Sequence, residues 1–128
     1  MPSLEQIQLD YTKINDTGMA VLATASKLTR LRIRGVDVTG AGLAHIAQLK
    51  NLSRLNLRDT SLDDAGLAVI AALPAIDWLD ISECRLATPV GLEQLGKAST
   101  LTYIDLWETK TNDDVLATFG GLTKLKVF

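Results

Sequence analysis

Leu52-Ser53-Arg54-Leu55-Asn56-Leu57, followed after a short polar turn by Leu62-Asp63-Asp64-Ala65-Gly66-Leu67, is the stretch that decides the fold. The first part places apolar residues at its first, fourth and sixth positions, the pattern of a short half-buried strand. The second part changes period. Asp63 suits a helix N-cap, because its side-chain oxygen accepts an orphan backbone N–H, and Asp64 behind it suits the helix dipole. Leu67, Ile70 and Leu73 then recur at spacings of three and mark one buried helix face.

The same unit recurs on both sides. Its strand signature appears as Leu4-Ile7-Leu9, Leu28-Leu31-Ile33, Leu52-Leu55-Leu57, Ile76-Leu79-Ile81 and Leu101-Ile104-Leu106, with starts 24, 24, 24 and 25 residues apart. The repeats are therefore 4–27, 28–51, 52–75, 76–100 and 101–124, and a truncated sixth, 125–128, starts at Leu125 with Phe128 at its fourth position. Self-similarity at this period marks a solenoid. Asn15, Thr39, Asp63, Thr88 and Asn112 stand at the expected helix starts, and Pro89 fits a first helical position. Met19/Leu22, Leu43/Ile46/Leu49, Leu92/Leu95 and Leu116/Phe119/Leu122 repeat the buried face. The fourth repeat carries one extra residue near Ala87-Thr88-Pro89-Val90, expected to lengthen a turn without breaking the stack. One repeat has too small a core to fold alone, so stacking must stabilise it.

This pattern resembles the leucine-rich-repeat family along essentially the whole chain. It looks most like a bacterial subtype with a Thr-x-Val-Thr-Asp-Ala-Gly-Leu consensus after the strand, nearly matched by Thr60-Ser61-Leu62-Asp63-Asp64-Ala65-Gly66-Leu67. The resemblance implies an α/β horseshoe solenoid, with a parallel sheet on the concave face and short helices on the convex one. It also implies protein binding, and an extracytoplasmic setting within a longer bacterial protein. No capping module is visible at either end. A doubly wound sheet is the competing fold, but it needs strands that are apolar on both faces. These strands keep one face polar.

Composition narrows the function. The 128 residues are 47% hydrophobic and carry a net charge of −2, so an ordered domain is expected and nucleic acid is not an expected partner. There is no run of eighteen apolar residues, so no membrane span is expected. No signal peptide is visible at Met1-Pro2-Ser3-Leu4, although the chain starts on a repeat and stops inside one, as a fragment would. Cys84 is the single cysteine and reads as a small buried residue. His45 has no acid or nucleophile placed beside it, and Asp59, Glu83 and Glu108 read as a solvated acidic rim. With no phosphate-binding loop and no metal-ligand cluster, neither a cofactor nor catalysis is expected.

The informative feature is where the polar strand residues fall. On the resembled fold, the third, fifth, seventh and eighth residues of each motif point to the concave face. Those twenty positions hold five of the six arginines, both tryptophans and both tyrosines, and none of the seven lysines. Trp, Tyr and Arg are enriched at binding hot spots, and Lys is depleted at interfaces. The candidate binding residues are Arg30, Arg32, Arg34, Arg54, Asn56 and Arg58 on a basic half, and Trp78, Asp80, Tyr103, Asp105 and Trp107 on an aromatic, acidic half. Asp10, Asp59 and Asp80 are expected to offset the clustered arginines. The sequence therefore reads as a non-catalytic module recognising a protein or peptide with acidic groups. The alternatives are homo-oligomeric assembly through uncapped solenoid ends, and carbohydrate or small-ligand binding at the aromatic cluster.

Overall fold

The computed structural model describes residues 4–122 and 124–128. Six short strands run in one parallel sheet: β1 (Gln6–Gln8), β2 (Arg30–Arg32), β3 (Arg54–Asn56), β4 (Trp78–Asp80), β5 (Tyr103–Asp105) and β6 (Lys126–Val127). Their order in the sheet is their order in the chain. A doubly wound sheet reverses its strand order part-way, so this topology is that of the expected solenoid. Each return path is helical. The first repeat uses a 3₁₀ helix, Gly18–Thr24. The next four use α1 (Gly40–Leu43), α2 (Asp64–Ala71), α3 (Pro89–Glu93) and α4 (Asp113–Ala117). Helices this short are not stable alone and form because one face packs against the sheet.

The register follows the repeat. Leu31 pairs with Leu55, Leu55 with Leu79, and Leu79 with Ile104, so the fourth motif position builds a continuous buried row. The first and sixth positions, such as Leu28, Leu52, Leu57 and Ile81, are equally buried. Helix-side residues Leu43, Ile46, Leu67, Ile70, Leu92 and Leu95 close the same core. Strands sit about 4.8 Å apart, whereas a helix with its side chains is about 10 Å wide. Stacking both at one step per repeat splays the helical side and makes the sheet side concave.

Carboxylates tie the helix starts of successive repeats together. Asp16 accepts from the backbone N–H of Thr39 at 2.7 Å and from its hydroxyl at 2.6 Å. Asp64 does the same for Thr88, at 2.7 and 2.5 Å. The approach needs a glycine three residues after the receiving threonine. A Cβ at Gly42 would lie 2.4 Å from the Asp16 carboxylate, and one at Gly91 would lie 2.2 Å from that of Asp64. In the fifth repeat the equivalent residue is Val115, and the repeat before it offers Pro89 where a carboxylate would stand. The bonding thus runs on a two-repeat period. Between the second and third repeats the direction inverts, and Asp63 accepts from Gly40 N–H at 2.9 Å as well as from Gly66 N–H in its own helix, also at 2.9 Å.

Four local expectations need correction or qualification. Thr88 does not cap its own helix, because its hydroxyl is turned back to Asp64. In α4 the buried side chain is Val115, while Leu116 is 44% exposed, since no helix among the described residues packs over it. The sixth strand enters one residue early. Leu125 N–H still donates to Leu122 O, as Leu101 does to Ala98 O, but Tyr103 then pairs with Lys126 and Ile104 with Val127. Phe128 therefore falls in the fifth, outward position, not the fourth, inward one. The ends were expected either to self-associate or to be covered by Met1–Ser3 and Lys126–Phe128. Lys126–Val127 do form a strand that covers β5, and Met1–Ser3 lie outside the described residues. The extra residue of the fourth repeat is absorbed in a turn. Leu86 projects to solvent there, while Ala87 is buried at the place of Val38 and Leu62.

Two outcomes follow from this packing. Asp64→Ala leaves the part-buried Thr88 N–H without its partner and is expected to cost about 2 kcal/mol in urea unfolding. Asp113→Ala, at the equivalent but exposed place in the fifth repeat, is expected to cost no more than about 0.5 kcal/mol. Cys84 is buried, its thiol donates to Leu57 O at 3.0 Å, and burial pushes its pKa up. Labelling of the native protein by a bulky thiol reagent is therefore expected to track unfolding, and rapid labelling would contradict this packing.

Candidate functional site: the open face of the sheet

The sheet face turned away from the helices is built from two in-register columns. The third motif positions align Gln6, Arg30, Arg54, Trp78 and Tyr103, and the fifth positions align Gln8, Arg32, Asn56, Asp80 and Asp105. Strand alternation points both columns outward, because their in-between neighbours are core residues. Lys126 and Phe128 extend the face beyond β5.

The five arginines divide by environment. Asp10 binds two of them: Arg32 Nε donates to its carboxylate at 2.7 Å, and Arg34 donates through Nε at 3.3 Å and Nη2 at 3.2 Å. The backbone N–H of Arg34 adds a fourth bond at 3.0 Å. Burial alone would raise the Asp10 pKa, but the Arg34 hydrogen bonds and the charges of Arg32 and Arg34 outweigh it and hold the carboxyl below its ordinary value. Arg58 Nε donates to Glu83 at 3.0 Å, and its guanidinium carbon lies 5.8 Å from the Trp107 ring centroid. The Arg58 pKa rises chiefly because of the Glu83 contact. Among the described residues, Arg30 and Arg54 have no carboxylate within ion-pair distance. The carboxylates that pair with these arginines are thus Asp10 and Glu83, and the charge of Asp80 adds a smaller contribution at Arg58. Asp59 and Asp80 form no ion pair with an arginine.

The fifth-position residues have an internal task. Asn56 accepts from the N–H of Arg58 at 3.1 Å, Asp80 from that of Ser82 at 2.9 Å, and Asp105 from that of Trp107 at 3.0 Å. Each side chain braces the turn that ends its own strand. The eighth-position residues are part of that turn. Tyr11, Asp59, Glu83 and Glu108 have φ between 55° and 61°, and Gly35 has φ of 68°. The supposed acidic rim is therefore a row of left-handed turn residues, with Glu83 paired to Arg58 and Glu108 to Arg85 at 3.5 Å. Gly35 also leaves room for the Tyr11 ring, whose Cδ1 would lie 2.2 Å from a Cβ at that place. Ser82, at the seventh position, is buried.

The aromatic half is a stack. The Trp78 and Tyr103 rings lie 4.9 Å apart and 7° from parallel, and Tyr103 and Phe128 lie 5.0 Å apart at 29°. Both Tyr103 faces are covered. Burial first, then the nearby charges of Asp105 and Asp80, push its phenol pKa up. Trp107 stands apart from this stack, 55% exposed beside Arg58. The basic half bounds an open groove of about 220 Å³ lined by Gln6, Gln8, Arg30, Arg32, Arg54, Asn56 and Trp78, floored by Ile7 and Leu31. Arg34, Arg58, Asp80, Tyr103, Asp105 and Trp107 lie outside it. Phe128 was not foreseen as part of the face, because a regular spacing from Leu101 puts it in the core. Gln6 was placed on the face but not singled out.

Residues 48–71 match the family model described as Leucine Rich repeat. No curated protein matches the chain. Among solved structures it is similar to an internalin from Listeria monocytogenes, with 18% identity and a TM-score of 0.57 over 97% of this chain. The chain spans about half of that internalin, 47% of its length. At this identity the likeness carries the leucine-rich-repeat fold, six parallel strands with short helices behind them. Leucine-rich repeats are typically protein-binding modules. No helix among the described residues is long and apolar enough to cross a membrane.

The Asp10 cluster generates a pH test. A carboxyl whose folded pKa is depressed contributes stability above its unfolded pKa and loses it as pH falls through the folded one. Asp10→Asn is expected to cost about 1–2 kcal/mol near pH 7, the range for hydrogen bonds to charged groups. The gap between wild type and variant should narrow as urea midpoints are taken from pH 6 down to pH 3. A gap independent of pH would remove the ion-pair account.

Proposed function

We propose that the chain is a non-catalytic binding module that recognises a protein or peptide on the open, concave face of its sheet. The observation that carries this reading is the pairing of an open groove with unpaired arginines on one side and a tryptophan face on the other. A merely solvated face has no reason to exclude lysine from five strands while keeping five arginines and both tryptophans on or beside them. Arg and Trp are enriched among the residues that dominate binding energetics, and the pre-organised guanidinium loses less freedom per hydrogen bond formed than an ammonium does. The carbohydrate alternative needs an open aromatic platform. Tyr103 is covered on both faces, which leaves the outer faces of Trp78 and Phe128 and, apart from them, the Trp107 ring beside Arg58, not one continuous platform.

The test is selection of peptides on the immobilised protein from a random library, followed by titration of the binders against two variants. Trp78→Ala is expected to weaken them by about 2 kcal/mol or more, within the range of hot-spot truncations. Lys50→Ala, on the exposed helical side, is expected to leave affinity within about 0.5 kcal/mol. Circular dichroism checks that Trp78→Ala still folds, since it also loses a ring stack. Binders indifferent to Trp78 but lost on helix-side substitution, or no binder at all, would overturn the reading.

A further inference from the structure

Arg30 and Arg54 are register partners on adjacent strands. Like charges set directly opposite each other in a sheet are destabilising. Every other arginine on this face has a carboxylate: Asp10 for Arg32 and Arg34, and Glu83 for Arg58. The uncompensated pair lies at the centre of the face, both side chains are exposed, and both line the same groove. Trp78, the register partner of Arg54, forms the end wall of that groove. One Trp78 face is taken by Tyr103, so the other looks along the column toward Arg54.

We propose that this groove takes an extended peptide segment with a carboxylate side chain two residues from an aromatic one. The carboxylate bridges Arg30 and Arg54, and the aromatic ring adds a fourth rung to the stack Trp78–Tyr103–Phe128. This rests on the open-face reading above and names the partner's chemistry. Two arguments set the spacing. Rungs in the existing stack lie 4.9 and 5.0 Å apart, so the next rung falls over β3, beside Arg54. A carboxylate held by both guanidinium groups then lies on the Arg30 side of that rung, up to about one strand spacing, 4.8 Å, away across the sheet. Side chains i and i+2 of an extended chain point the same way and lie about 6.6 Å apart. Guanidinium groups match a carboxylate by paired hydrogen bonds, which a lysine could not supply in the same geometry. Gln6 and Asn56 at the groove's margin offer amide groups to the peptide backbone.

The probes are N-acetylated, C-amidated heptapeptides selected from a random library on the intact chain, so that no terminal carboxylate contributes. Enrichment of an acidic residue two places from an aromatic one is expected. In a selected peptide, replacing the acid by its amide is expected to reduce affinity about tenfold. Arg54→Gln or Arg30→Gln in the protein should do the same, and combining peptide and protein changes should add little further loss. Affinity should fall with added salt. Both variants remove like-charge repulsion at exposed positions, so the double variant Arg30→Gln/Arg54→Gln is expected to melt no lower than wild type, which separates a binding defect from a folding one. Binders that lack an acid, or that ignore both arginine changes, overturn this proposal. If those same binders are lost on Trp78→Ala, the open-face reading stands without it. If they are lost only on helix-side changes, both fall.

Discussion

The hydrogen bonds that cross from one repeat to the next are the constraint on which the rest of the molecule depends. Ile33 N–H donates to Asn56 O at 3.0 Å, Leu57 to Asp80 at 2.8 Å, Ile81 to Asp105 at 3.1 Å and Leu106 to Phe128 at 2.7 Å. Each closes the same motif position onto the next repeat. A buried backbone N–H left unpaired is costly, so this ladder holds the repeats at one strand spacing and in one register. Residues about 24 apart in sequence become neighbours about 4.8 Å apart in space. Side-chain columns then follow without further instruction. The leucine rows, the aspartate–threonine links behind the sheet and the arginine–aromatic column in front are all the same translation applied to different positions.

That dependence explains what could be read from the sequence. A translation symmetry leaves its period in the chain, so the strand starts, the parallel order and the buried rows were legible from leucine spacing. The outward column Gln6–Arg30–Arg54–Trp78–Tyr103 was legible for the same reason. What breaks the period was not. Phe128 reaches the open face only because the strand entry after Leu125 is one residue short, and no residue in Lys124-Leu125-Lys126 signals the deletion. Leu116 loses its burial because α4 lacks a following helix to pack against, a fact about neighbours and not about local pattern. The eighth-position turn did carry a signal. Gly35 in line with Asp59 is what a left-handed column looks like, and three acidic residues there suggested a rim instead. Pairing of charges depends on rotamers. Proximity in the alignment favoured Asp59 as a partner for the arginines, whereas Asp59 and Glu83 share the left-handed turn and it is Glu83, on the next repeat and with the longer side chain, that reaches Arg58.

The open face is divided by how its charges are used. Asp10 at one end and Glu83 toward the other hold three arginines in fixed positions, with Trp107 over the Arg58 guanidinium. Asp80 and Asp105 spend side-chain oxygens on their own turns, which makes them poor direct contacts although they look outward, and Asn56, whose oxygen is used the same way, keeps its amide N–H groups. Once these internal commitments are removed, the groups left to meet a ligand are few: Arg30, Arg54, the margin amides and one face of Trp78. A face of polar residues is not uniformly available, and hydrogen bonds within it separate scaffold from contact surface.

The two sides of the solenoid are held by different means, and this shapes the binding surface. Behind the sheet, carboxylate links join the first repeat to the second and the third to the fourth through Asp16–Thr39 and Asp64–Thr88. Between these pairs the link reverses through Asp63, and at Pro89 it lapses. In front, the ladder is unbroken across every strand pair, and the ends of β2 to β5 are braced by Asp10 or by an Asx side chain of their own strand. The side-chain links are therefore irregular on the helical side, while the strands carrying Arg30, Arg54 and Trp78 are held in one register. A ligand meeting that column finds its anchors already spaced, so little ordering is left to oppose association. Affinity on such a surface is governed by the match between ligand spacing and strand spacing more than by contact area.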